Sequence, residues 1–152
     1  MTTEDVTLQS TDLYPAPKAG TKLAVREHYT RGKQSDGCED GKPAMHCVQM
    51  LAAGQMPSLP PAGGNISDFV YISVYEPASN GAYFLGELNK FVHVSPQRFE
   101  SVLVKGSGPC GLTVSVKGTS GDDIDLPCID AKGTVHVKTA SIAATGRVDV
   151  AI

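Results

Sequence analysis

GLTVSVKGTSGDDIDLPCIDAKGTVHVKTASIAATGRVDVAI, residues 111–152, decides the fold. Four apolar series run through it at a spacing of two: Leu112, Val114 and Val116; Ile124, Leu126 and Cys128; Val135 and Val137; Val148, Val150 and Ile152. Successive side chains of a strand point to opposite faces, so each series marks one face of a strand. Polar residues fill the gaps in most of the series, as Thr113, Ser115 and Lys117 do in the first and Thr134, His136 and Lys138 in the third. Residues 118–123, Gly-Thr-Ser-Gly-Asp-Asp, have the chemistry of a turn.

Upstream, the same grammar continues. Residues 98–105 read as a strand. In residues 68–76, Val70, Ile72 and Val74 line one face, while Phe69, Tyr71 and Tyr75 line the other around Ser73. Two apolar faces predict a central strand. Residues 21–30 place Leu23, Val25 and Tyr29 on one face, with Glu27 as the exception. Lys22, Ala24, Arg26, His28 and Thr30 fall on a face expected to be wet. Residues 82–94 break the pattern. Phe84, Leu88 and Phe91, with Leu85 and Val92, form a helical stripe, so a short helix or turn is expected to enter a strand at 92–94. Ser95-Pro96 then marks a boundary.

Several short strands separated by turns predict an all-β chain: a single antiparallel β-sandwich, Greek-key or jelly-roll-like. Residues 1–20, ending in Pro15, Pro17 and Gly20, read as an extended N-terminal arm, and residues 21–152 as one domain. Within it, residues 31–67 form a long irregular loop containing Met56, Pro57, Leu59, Pro60 and Pro61. Long structureless stretches are uncommon in compact domains and are often functional, so these five residues are the candidate interaction surface.

Bulk composition agrees. A chain of 152 residues has the size of one domain and can bury about 70% of its unfolded surface. It has 41% hydrophobic and 19% charged residues, with 16 Gly and 10 Pro for turns. Net charge is −3, which argues against a nucleic-acid partner. Lys18, Lys22, Arg26, Arg31 and Lys33 cluster, but Asp36, Glu39 and Asp40 follow at once, giving a solvated charged surface. No apolar run approaches the roughly 18 residues of a membrane span, and residues 1–20 lack a signal-peptide core.

Four cysteines, Cys38, Cys47, Cys110 and Cys128, are disulfide candidates with three pairings open. The local pairing, Cys38–Cys47 and Cys110–Cys128, is the simplest; four reduced thiols are the alternative. A regular hairpin at 118–123 would put Cys128 beside Thr113 rather than Cys110, so this bond demands a bulge, an extension, or another partner.

Motifs for chemistry are sparse. Residues 106–111 spell G-x-G-x-x-G, but a strand rather than a helix follows, so a tight hairpin turn is expected in place of a phosphate loop. His28, His46, His93 and His136 are read as scattered surface residues, since neither copper nor zinc spacing is met. Asp122, Asp123 and Asp125 lack the spacing of a calcium loop and read as a hydrophilic turn. No G-x-S-x-G elbow occurs. No catalytic, cofactor-binding or metal-ligating residue is assigned. Asn65-Ile66-Ser67 is a glycosylation tripeptide, and with the cysteines it tilts the compartment toward extracellular or virion rather than cytoplasmic.

Three functions fit this reading, in order. The first is a non-catalytic structural or assembly subunit, such as a capsid or decoration protein, holding protein neighbours or copies of itself through its arm and long loop. The second is a secreted, disulfide-containing module for a ligand such as a glycan, weakened by the absence of Trp. The third is a metal-dependent or hydrolytic enzyme.

Overall fold

In the computed structural model, residues 6–7, 17–30, 33–34, 48–55, 58–59, 71–87, 90 and 92–152 are described. Every element among them is a strand: β1 (Val6–Thr7), β2 (Ala24–Thr30), β3 (Lys33–Gln34), β4 (Gln49–Met50), β5 (Ser58–Leu59), β6 (Tyr71–Tyr75), β7 (Tyr83–Phe84), β8 (Phe99–Leu103), β9 (Thr113–Lys117), β10 (Asp123–Ile129), β11 (Val135–Ser141) and β12 (Arg147–Ala151). The fold is all-β, built of small, open, antiparallel sheets. No helix occurs among the described residues. The chain forms two compact units, Met1–Glu76 and Pro77–Ile152.

In the first unit, β2 is the organising strand. It pairs with β3 and β4, and with β6, all antiparallel. Leu23, Val25 and Leu51 form its core, with Ile72 and Val74 packed against them. On the face expected to be wet Lys22 is exposed, but Ala24 is fully buried and Arg26 is 4% exposed. A strand with neighbours in its sheet is covered more fully than its alternation suggests. The expected central strand at 68–76 also changes place. Among the described residues β6 pairs with β2 alone, and Ile72 and Val74 are half-buried. Residues 68–70 lie outside the described residues. The arm contributes β1, which pairs with β5 through Val6 opposite Leu59 and Thr7 opposite Ser58. Arm and long loop thus meet in a two-residue ladder.

In the second unit, all four alternating series of residues 111–152 become strands. They do not pair in chain order. β10 lies between β11 and β7, whereas β9 lies between β12 and β8. The turn after β9 therefore leads from one sheet to the other and closes no hairpin. The reason is burial. In the β10–β11 and β9–β12 ladders an even-numbered residue opposes an even-numbered one. The faces carrying Ile124, Leu126 and Cys128, and Leu112, Val114 and Val116, share one core with Ile142, Val150 and Ile152. Shared burial of two apolar faces removes more surface from water than one flat ladder with a single covered face would.

Residues 106–111 do lie in a hairpin connection, since β8 pairs with β9, but the loop between them runs from 104 to 112 and is not tight. Gly108 allows the loop to lie against the C-terminal strand: a Cβ there would sit 2.2 Å from the carbonyl carbon of Ile152. Residues 82–87 hold the short strand β7 where a helix or turn was expected, and residues 92–94 are bends rather than a strand, with Leu88 and Phe91 outside the described residues. Phe84 and Phe99 instead meet edge to face, centroids 5.1 Å apart. Arg98 holds the adjoining loop. Its Nε and Nη2 donate to the Glu87 carboxylate at 2.8 and 3.0 Å, and its Nη1 donates to the Lys117 carbonyl at 2.9 Å.

Candidate functional site: an open cleft between two strand edges

Cys110 and Cys128 are joined by a disulfide, with Cα atoms 6.5 Å apart. No bulge is required, because β9 and β10 belong to different sheets and hairpin arithmetic does not apply. The bond ties the loop before β9 to the C-terminal end of β10. Cys38 and Cys47 lie outside the described residues, as do Met56, Pro57, Pro60 and Pro61. Leu59 sits in β5, opposite the arm.

Beside the disulfide the second unit is open. Each of its sheets ends, among the described residues, in a strand with one partner: β11 in one sheet and β12 in the other. Between these two edges lies a cleft of about 790 Å³. Apolar residues of its lining include Cys128, Val135, Val137, Val148, Val150 and Ile152, and the loop at Ser107 to Pro109 borders it. His136, Lys138 and Asp149 bring polar groups to the lining.

The register explains why those side chains are there. Cys128 stands opposite His136 and Leu126 opposite Lys138. His136 and Lys138 therefore occupy the core-facing side of β11, along with half-buried Ala140 and buried Ile142. The valines take the other side, and Val137 is 41% exposed. Sequence alternation read this strand inside out. The tail of β10 is the cause: Pro127 and Ile129, opposite Val137 and Val135, are themselves buried, so β10 is apolar on both faces there. Two apolar faces leave periodicity unable to choose which face of β11 turns inward.

The turn that sets this register is built on Asp130. Its Oδ1 accepts from the Lys132 and Thr134 backbone N–H groups, both at 2.9 Å, and Gly133 takes the left-handed conformation, φ 88°, that completes the turn. The Asp130 Oδ2 lies 2.9 Å from His136 Nε2. The bond to His136, then that to the Thr134 N–H, holds the Asp130 carboxyl below its ordinary range against a small opposing effect of burial. No hydroxyl or thiol of the described residues hydrogen-bonds the His136 ring, so the pair orients a side chain without a nucleophile attached.

Edge geometry adds a second set of groups. The flanking bonds Asp130 N–H to Thr134 O and Ile142 N–H to Asp122 O identify the hydrogen-bonded pairs of the β10–β11 ladder. Antiparallel pairs alternate, so Val135, Val137 and Thr139 direct their N–H and C=O groups away from β10. The reciprocal bonds between Leu112 and Ile152, 3.1 and 2.9 Å, place Asp149 and Ala151 likewise on the outer edge of β12.

The remaining candidates are dispersed. His93 is 4% exposed, which corrects its reading as a surface histidine. His28 lies in β2, and His46, Asp36, Glu39, Asp40 and the tripeptide at 65–67 lie outside the described residues. Asp125 accepts from Thr139 Oγ1 at 2.6 Å and Asp123 accepts from the Ser141 hydroxyl, so two of the turn carboxylates are cross-strand acceptors. Among the described residues no group of three or more His, Cys, Asp or Glu is placed to hold a metal ion, and no helix is long and apolar enough to cross a membrane. Compared with known families, curated proteins and solved structures, the chain matches none of them.

Proposed function

We propose that this protein is a non-catalytic structural or assembly subunit that binds protein neighbours, of the kind found in capsids and their decorations. One observation carries the reading: two strand edges with outward backbone groups flank a cleft of mixed apolar and polar lining. Edges of this kind are templates for another chain. The shared core of the two sheets in Pro77–Ile152 supports reading that unit as a β-sandwich, Greek-key or jelly-roll-like, with the arm and long loop as further contact surfaces.

The native mass of the full chain, measured by light scattering over a wide concentration range with and without reductant, tests this. A mass above 15.9 kDa that rises with concentration is expected. A monomer at every concentration, with no partner bound, ends the self-assembly form of the proposal.

A second reading, a secreted ligand-binding module, is favoured by the size of the cleft, which falls within the roughly 300–1,000 Å³ of small-molecule sites. Its test is a glycan array and a panel of small organic anions. Failure to bind any of them removes it.

A further inference from the structure

We infer that the cleft receives an extended strand along β11, and that this strand is the N-terminal arm of a second copy of the chain. The inference rests on the assembly reading and names its contact.

The starting point is Lys138. It is exposed, yet the register places it opposite Leu126, on the core-facing side of an edge strand, and it makes no ion pair among the described residues. An inward charge on an edge is a known guard against indiscriminate strand pairing, since an apolar strand laid there would bury the ammonium unpaired. The guard is selective. A strand bringing a carboxylate to that position is attracted, while a purely apolar one is repelled. The site therefore specifies its guest: an extended segment with apolar side chains at alternate positions for Ala140, Val148 and Val150, and an acid on the same face for Lys138.

The arm has that pattern. In an extended strand Glu4, Val6 and Leu8 share one face, a carboxylate followed by two apolar side chains. The arm is also strand-forming, because Val6–Thr7 is β1. β5 occupies one edge of β1, and every strand has two. Among the described residues β1 pairs with β5 alone, so pairing of its second edge with the outward groups of Val135, Val137 and Thr139 leaves the β1–β5 ladder in place. Exchange of arms between identical copies also satisfies the closed symmetry usual in homo-oligomers.

The experiment uses the full chain and three variants, Glu4→Lys, Lys138→Glu and the double variant. Mass by light scattering is paired with hydrogen exchange at the outward amides of Val137 and Thr139. The wild type should self-associate, with these two amides becoming protected as concentration rises. Each single charge reversal should weaken association about tenfold, and the double reversal should restore it, because only a facing pair responds to a swap. Val6→Asp should act like the single reversals. Native exchange at Val114 and Leu126 in every variant shows that the fold is retained.

Association with unprotected Val137 and Thr139 amides, or without rescue in the double variant, overturns the inference and leaves the assembly reading standing. Protection that is independent of concentration yet lost in Val6→Asp assigns the cleft to the chain's own arm and overturns the second-copy assignment. A monomer with exchanging amides overturns the inference together with the self-assembly form of the assembly reading.

Discussion

Replacing both Cys110 and Cys128 with alanine should loosen the second unit by about 3–4 kcal/mol. The closed loop spans a sequence separation of 18. Loop-closure entropy for that length is about 11 cal/mol/K, or about 3 kcal/mol at 25 °C. Both sulfurs are buried, Cys110 3% and Cys128 1% exposed, so the small voids left by alanine add on the order of 1 kcal/mol. Hydrogen exchange is the right assay, since it reads this unit without requiring Met1–Glu76 to unfold with it. The amides of Val114 and Val116, bonded toward β12, and of Leu126, bonded toward β11, report the opening of both sheets. At 1.4 kcal/mol per tenfold change, their protection should fall by about two to three orders of magnitude. A fall of less than about fivefold would refute the chain-entropy argument as applied to this bond.

Three other outcomes follow from the same geometry. Gly108→Ala should cost about 1–3 kcal/mol, seen as a lower melting temperature, because a Cβ 2.2 Å from the Ile152 carbonyl carbon forces the loop off the C-terminal strand. Glu87→Ala leaves the largely buried Arg98 guanidinium without its bidentate partner and should cost about 3 kcal/mol in urea denaturation. The Glu87→Ala/Arg98→Ala pair should cost less than the sum of the singles; strict additivity would show the two side chains to be uncoupled. Asp130 contributes to stability above the ordinary carboxylate range, because its folded pKa is depressed; that contribution is lost as pH falls through the folded value. Asp130→Asn should flatten the acid side of a pH-dependent melting curve while leaving the Lys132 and Thr134 contacts able to form. An unchanged acid limb would show that the carboxylate charge has no part in it.

The strands themselves were legible from local chemistry. Leu112, Val114 and Val116 alternate against polar neighbours and become β9 with its even-numbered residues buried. The same holds for Ile124 and Leu126 in β10 and for Val150 in β12. Where both faces are apolar, alternation lost its force. On β10 the buried Pro127 and Ile129 leave the inward face of β11 undetermined, and the structure turns His136 and Lys138 toward the core side while Val137 faces out. At 83–84 a strand stands where a helix or turn was expected, and Phe84 meets Phe99 edge to face. The cleft left no trace in the sequence. It exists because two edges from separate sheets come to flank one core.

The sequence by itself determined the all-β character, the positions of most strands and the turn chemistry of residues 118–123. These depend on residue type and on period two, both local properties. Tertiary structure decided which strands pair, that β9 and β10 enter different sheets, and hence that Cys110 reaches Cys128. It also placed Lys138 opposite Leu126, beside an open cleft of mixed apolar and polar lining. Partner choice is settled by how much apolar surface each arrangement removes from water, a sum over the whole unit that no single segment carries.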